Sequence, residues 1–301
     1  MENSPDYDVV IIGGSYAGLS AALTLGRAIR RVLVLDSGRP CNRMTPHSHN
    51  FLTQDGRTPA DIAAQARAQV LAYPTVQLVS ETAVAAQGTD HDFTVTTDCG
   101  RTVRARKLLF ATGVRDLLPA RPGLAECWGI SAIHCPYCHG YEYRDQPTGI
   151  LLNGDAAFEQ ARLIRNWTAR LTVFTGGEST IGPAHRQQLA ALGVEVETSA
   201  VRELVHQRGY LTHLALADER RVPLAALYVR PAFEQHCPLP RALSCTHTEA
   251  GYLGVDEAQK TSVAGIYAAG DATTMMRSVS YAVAAGVKAG AFLNHELLGP
   301  A

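Results

Sequence analysis

The sequence predicts an α/β protein of two three-layer βαβ domains, the second inserted into the first. Three observations carry that expectation. A glycine-rich turn follows the first apolar run, residues 8–12, and opens an alanine- and leucine-rich helix. A second run, 148–152, leads through Asn153-Gly154-Asp155 into another helix and strand, so the βαβ pattern repeats. Beyond it the chain closes on Gly270-Asp271 and a long alanine-rich helix, which read as the far half of the first unit. Strands alternating with helices imply parallel sheets, and both units are Rossmann-like. The expected boundaries are 1–116 with 244–301 for the outer domain and 117–243 for the insert.

The first unit is the most explicit. Residues 8–12 (Asp-Val-Val-Ile-Ile) are β-branched and apolar, as a strand buried on both faces requires. Gly13, Gly14, Ser15, Tyr16, Ala17 and Gly18 form the turn, with Ser15 at the middle glycine of G-x-G-x-x-G. A helix to about Arg30 and a strand at 32–35 follow, ending at Asp36-Ser37. Bare backbone and a helix N-terminus suit a pyrophosphate, and a carboxylate 23 residues after Gly13 suits a ribose.

Residues 39–55 are polar and read as a loop that contains His47, His49 and Asn50. Residues 59–72 read as a helix. Residues 76–79, 93–97 and 103–105 read as strands of a small antiparallel piece, with turns at Gly88 and at Asp98-Cys99-Gly100. Residues 107–111 form another buried strand, and Ala111-Thr112-Gly113 would let a ligand approach its end. Residues 117–123 and 238–242 read as the linkers into and out of the insert. Within the insert, helix 158–169, strand 171–174 and a further helix and strand over 181–196 complete the second unit. The closing helix is expected over 278–298.

Chemistry concentrates in His134-Cys135-Pro136-Tyr137-Cys138-His139-Gly140. Cysteines two residues apart close and open a disulfide without refolding, and the thiolate is the attacking species. His134 and His139 titrate near neutral pH and can move the protons of thiol exchange. The same spacing is half of a zinc site, and with His139 that of a c-type haem anchor. The remaining cysteines, 41, 99, 127, 237 and 245, are scattered and offer no second close pair, so no metal is expected. Net charge is −1, which suggests no nucleic-acid surface, and no apolar run has the length of a membrane span. The polar, acidic start at 1–8 is unlike a signal peptide. With seven cysteines it points to a reducing, cytoplasmic setting.

Taken together, the N-terminal glycine turn, Ala111-Thr112-Gly113, an inserted Rossmann unit opening with Cys-x-x-Cys, and Ala269-Gly270-Asp271 resemble the low-molecular-weight thioredoxin reductases over nearly the whole chain. The resemblance implies FAD in the outer domain and a homodimer. Gly13 to Gly18 and Asp36-Ser37 would hold its pyrophosphate and ribose, and Val84 with 111–113 would line the adenine and pyrophosphate side. Asn50, Arg277, Ser278 and Val279 would lie near the flavin, and Gly270-Asp271 against the pyrophosphate and ribityl chain. Cys138 would face the flavin and Cys135 would exchange with substrate. The family's aspartate after the second cysteine is here His139, expected to keep the acid/base role with a pKa nearer neutrality.

The insert departs from the family. Where the family reads Gly-Gly-Gly-Asp-Ser-Ala, this chain has Leu152-Asn153-Gly154-Asp155-Ala156-Ala157, and Leu152 is expected to obstruct a nucleotide. The family's His and Arg cluster for the 2′-phosphate of NADPH is replaced by Thr175-Gly176-Gly177-Glu178. Losing two charge-assisted hydrogen bonds of roughly 1.5–3 kcal/mol each would weaken NADPH by roughly a hundredfold to ten-thousandfold. Arg186 is the alternative cation. Cys-x-x-Cys-His-Gly-Tyr-Glu resembles instead the dithiol oxidases of microbial natural products, FAD proteins of this fold that do not use NADPH. The expected activity is FAD-dependent oxidation of a small dithiol, with dioxygen or a redox protein as acceptor. An NADPH-dependent reductase of a thioredoxin-like protein and a flavin redox sensor are the alternatives.

Overall fold

The structure is a computed structural model and describes residues 6–299; residues 1–5 of the polar start lie outside the described residues. The outer part of the chain forms β1 (Tyr7–Ile12), α1 (Tyr16–Arg27), β2 (Val32–Leu35), α2 (Pro59–Leu71), β3 (Val76–Val79), β4 (Ala83–Thr89), β5 (Asp92–Thr97), β6 (Thr102–Phe110) and β7 (Val114–Leu117). The next stretch forms α3 (Leu124–Cys127), β8 (Ala132–Ile133), α4 (Pro136–His139), β9 (Thr148–Leu151), α5 (Gly154–Ile164), β10 (Leu171–Phe174), α6 (Pro183–Ala191) and β11 (Glu195–Glu197). It continues through β12 (Val201–Gln207), β13 (Tyr210–Leu216), β14 (Arg221–Pro223) and β15 (Ala226–Val229). The chain ends with β16 (Ala232–Gln235), α7 (Leu239–Ala242), β17 (Ile266–Ala268), a 3₁₀ turn at Gly270–Ala272 and α8 (Val279–Glu296).

Two compact units result. One comprises Met1–Arg43, Phe51–Arg115 and Phe233–Ala301, and the other Met44–Asn50 and Asp116–Ala232. The return crossing falls at Ala232, ahead of the expected position 243. Residues 238–242 are therefore not a linker: they enclose α7, whose Leu239 packs into the core of the first unit. The segment 44–50 also moves, from the outer domain to the second unit.

The first unit is built on a sheet of order β3-β2-β1-β6-β5-β4, with β17 beside β6. Every residue of β2 and the last four of β1 are buried, as their unbroken apolar runs require. The nine residues of β6 pair parallel with β1 along one edge and serve two ladders along the other. Residues 102–105 pair antiparallel with β5, and 108–110 pair parallel with β17. The separate strands expected at 103–105 and 107–111 are thus one element. Strand β3 pairs parallel with β2, so it belongs to the dinucleotide layer and not to the antiparallel piece; β4, absent from the sequence reading, supplies that partner instead. Between the layers Lys107 is fully buried, with Nζ 2.6 Å from Asp90 Oδ1 and 3.4 Å from Glu296 Oε1. Tyr267 donates to Glu296 at 2.6 Å, so this network ties the end of α8 to the sheet. Removing both carboxylates would leave the buried Lys107 ammonium without a counter-charge, which is strongly destabilising.

The second unit has a parallel sheet of order β11-β10-β9-β15-β8 and a three-stranded antiparallel sheet of order β12-β13-β14. The parallel register Leu171 to Thr148 through Phe174 to Leu151 confirms a second βαβ unit. Its helix α5 begins at Gly154 and ends at Ile164, earlier at both ends than the expected 158–169. Among the described residues no helix is long and apolar enough to cross a membrane.

Candidate active site

In the first unit β1 delivers the chain into the glycine turn. A Cβ on Gly13 would stand 2.3 Å from Ala111 O, and one on Gly18 would stand 1.8 Å from Gly13 O, so neither position admits a side chain. Ser15 is the extended N-cap of α1, and its side chain makes no capping bond. The first-turn N–H groups of α1 are therefore left for a ligand. Tyr16, the first residue of α1, is buried and accepts from Asn42 Nδ2 at 3.1 Å. Gly14 lies against Asp36, which is itself buried at the end of β2. Asp36 Oδ1 accepts the Gly38 N–H at 3.1 Å and Oδ2 pairs with Arg67 of α2. Sequence reading gave no part to Arg67, and nothing local in α2 marks it. Ser37 is exposed.

Across the turn, Ala111 is buried and donates its N–H to Ile12 O at 2.8 Å. The Thr112 hydroxyl is buried with no hydrogen-bond partner, beside Gly113 in a left-handed conformation. Gly270 opens the 3₁₀ turn that carries Asp271, and Arg277 Nε lies 3.9 Å from Asp271 Oδ2. Ser278 caps α8 by accepting the Tyr281 N–H at 3.1 Å, with Val279 as the first helical residue. Val84 is 53% exposed on β4. Bare backbone, a helix N-terminus and an orphaned buried hydroxyl fit the pyrophosphate of a dinucleotide. Asn50 belongs to the segment 44–50 of the second unit, with φ 59°.

In the second unit Cys135 and Cys138 are joined by a disulfide, with Cα atoms 5.3 Å apart. Pro136 starts the one-turn helix α4, and Cys135 Sγ accepts the Cys138 N–H at 3.2 Å. Both cysteines are half-buried, while Tyr137 between them is exposed and meets the Trp167 ring edge-on at 5.6 Å. Gly140 closes the turn because a Cβ there would lie 2.5 Å from Pro136 O and 3.0 Å from the Trp167 ring. His134 stacks on Trp128 at 5.9 Å. Among the described residues no group of three or more His, Cys, Asp or Glu is arranged to hold a metal.

His139 differs from expectation. Burial, and then the nearby charge of His49, push its imidazole down to about 4. Near neutral pH it is an uncharged proton acceptor and not a group poised at neutrality. The expectation treated the residue type alone, whereas desolvation disfavours the charged form.

The second glycine turn is closed on itself. Asn153 Oδ1 accepts the N–H groups of Gly154 at 2.8 Å and Thr180 at 2.9 Å, while Nδ2 donates to Glu178 O at 2.9 Å. Its amide thus occupies the N-terminus of α5 and ties it to the loop after β10. Leu152, expected to be the obstruction, packs partly buried against the core of the unit instead. Arg186 donates to Ile181 O and Ser179 O, both at 3.0 Å, and so is committed to its own loop. Sequence reading passed over Asn153, although an asparagine directly before a helix is an N-cap signature.

A family model described as pyridine nucleotide-disulphide oxidoreductase matches residues 7–286. The thioredoxin reductase tcpT of Claviceps purpurea is 32% identical, over 99% of this chain and 96% of its own. The thioredoxin reductase sirT of Leptosphaeria maculans is 31% identical, over 97% and 95%. The crystal structure of an oxidoreductase from Agrobacterium tumefaciens superposes with a TM-score of 0.92 at 39% identity, covering 98% of this chain and 99% of that one. The match spans most of the chain, and the chain belongs to the pyridine nucleotide-disulphide oxidoreductase family as a thioredoxin reductase-like flavin disulfide oxidoreductase.

Proposed function

We propose that the protein is an FAD-dependent dithiol oxidase that works without NADPH, on a small dithiol. The observation that carries this reading is the self-closed turn at Asn153. Asn153 Oδ1 takes up the Gly154 N–H at the N-terminus of α5, where a nucleotide phosphate would seat, and the guanidinium of α6, Arg186, is spent on loop carbonyls. FAD would be held by the glycine turn at 13–18, Thr112, Gly113, Asp36 and the Gly270-Asp271 turn. When bound, it would supply the acceptor for the electron pair of the reduced cysteines, with dioxygen or a redox protein as the final acceptor.

The chain's own residues account for the sulfur chemistry. A substrate thiolate attacks Cys135 Sγ. The new sulfur–sulfur bond forms as the Cys135–Cys138 bond breaks, and the electron pair of that bond remains on Cys138 Sγ. The second substrate thiolate then attacks the substrate sulfur held on Cys135, which closes the substrate disulfide and frees the Cys135 thiolate. Each substrate thiol loses one proton. Neutral His139 accepts one beside Cys138, and His134 beside Cys135 is placed for the other. The protein acts as a homodimer in the cytoplasm, its dimer face supplied by α8, which exposes Tyr281, Val287 and Phe292.

The names of its relatives favour a second reading, an NADPH-dependent reductase of a thioredoxin-like protein. Anaerobic mixing separates the two. The oxidase reading expects the flavin to bleach with a small dithiol and to stay oxidised with micromolar NADPH. Rapid bleaching by NADPH would establish the reductase.

A further inference from the structure

Strand β16 ends on a side chain that reaches the Gly270–Ala272 turn. Gln235 is half-buried, and its Nε2 donates to Gly251 O at 2.9 Å and to Ala272 O at 3.0 Å. Ala272 closes the 3₁₀ turn that carries Asp271, and its carbonyl also accepts the Leu253 N–H at 2.8 Å. Two residues earlier, on the same face of the strand, Phe233 stacks on Tyr252 at 4.6 Å. One residue later, His236 donates its N–H to Gly113 O at 3.4 Å. This stretch is therefore tied to both 112–113 and 270–272, the two segments assigned above to the flavin nucleotide.

The other end of the amide is left over. Gln235 Oε1 is buried and has no hydrogen-bond partner in the protein. The two carbonyls fix which end is which. Turning the amide over would set Oε1 against both carbonyl oxygens and lose both bonds. A buried acceptor without a donor is costly, so its place in the fold calls for one. Thr112 Oγ1 is likewise buried and unpaired, but a hydroxyl can donate as well as accept. An amide oxygen only accepts. A pyrophosphate oxygen offers it no proton and repels it. The donors that suit it in FAD are the ribityl hydroxyls and the isoalloxazine imide N–H, since the adenosine ribose falls to Asp36.

We propose that Gln235 is a flavin-binding residue. Its Nε2 fixes the Gly270–Ala272 turn, and its Oε1 accepts a hydrogen bond from the ribityl–isoalloxazine half of bound FAD. The inference rests on FAD as the cofactor and is read from binding, without turnover.

The test is equilibrium dialysis of the flavin-loaded protein, with FAD as ligand and ADP as competitor. ADP carries the adenosine and pyrophosphate but neither ribityl chain nor flavin. Gln235→Met keeps the length of the side chain and removes both ends of the amide. It should raise the FAD dissociation constant about three- to tenfold and leave the ADP inhibition constant within about twofold. Gln235→Leu carries the same expectation should the methionine protein melt early. An unchanged FAD constant overturns the proposal. So does an equal rise for FAD and ADP, which would make Gln235 a support for the turn alone. A wild type that binds no FAD removes the cofactor reading itself. A wild type that binds FAD no better than the Gln235 variants removes only the role of this residue.

Discussion

The self-closed turn at Asn153 makes a quantitative prediction. Asn153→Gly removes three hydrogen bonds, two accepted by Oδ1 and one donated by Nδ2. Each is worth about 0.5–1.5 kcal/mol net, and glycine is itself a fair N-cap, so the stability loss should be about 1–3 kcal/mol. The same change frees the N–H of Gly154 and releases the loop at Thr180 from α5. Adding Glu178→Arg exchanges an exposed acid for a cation at the end of the strand that follows. One charge-assisted bond of about 1.5–3 kcal/mol to the 2′-phosphate corresponds to about a 10- to 150-fold gain in affinity. Binding is read directly, from the fluorescence of NADPH added to each protein, so that hydride transfer is not required. The wild type should bind too weakly to measure below millimolar NADPH, and the double variant should bind at least tenfold more tightly. Micromolar binding by the wild type, or a double variant no better than the wild type, would refute the reasoning.

Two further expectations come from the two sites. Thr112→Val should weaken FAD binding by about five- to tenfold, since a buried hydroxyl with no protein partner is placed to donate to the cofactor; the melting temperature of the apoprotein should not fall. Flavin fluorescence titration of apoprotein checks this, and an equal loss in apoprotein stability would point to a structural hydroxyl instead. For His139 the folded value of about 4 lies below the ordinary histidine value of about 6.5. The unfolded chain thus binds the extra proton first as pH falls, so the contribution of this residue is full above about pH 6.5 and is lost down to about pH 4. Its size is on the order of 3 kcal/mol. Denaturant melts across that window should show wild type losing more stability than His139→Gln, and parallel curves would contradict it.

What the sequence disclosed was local. The strand–turn–helix–strand run from β1 to Asp36 is contiguous, and its apolar runs and glycines record both burial and close approach within a few residues. Cys135 and Cys138 are likewise joined across a single turn. What depends on distant pairing was hidden. Residues 76–79 were correctly bounded as a strand, but the choice of parallel β2 over an antiparallel neighbour is made by tertiary contacts. The β12-β13-β14 sheet left no sequence reading at all, because its strands alternate weakly and carry a register shift between Val205 and His206. His49 reaches Glu142 beside the cysteine turn across some ninety residues of chain, a pairing that its polar loop does not disclose. The neutral state of His139 needed the burial of its ring, which residue type does not report. At the second turn the glycine count was read, but the capping chemistry of Asn153 was not.

The central claim is that electrons from a dithiol enter through the cysteine disulfide and leave through the flavin, with no nicotinamide nucleotide involved. The most direct measurement is an anaerobic titration of the purified flavin-loaded protein with dithiothreitol, followed by flavin absorbance and by counting free thiols. Wild type should take up two electron pairs, one in the cysteines and one in the flavin, and bleach fully. Cys138→Ser should leave the flavin yellow. A wild-type flavin that stays oxidised at excess dithiol, or a Cys138→Ser protein that bleaches as readily as wild type, would contradict the account.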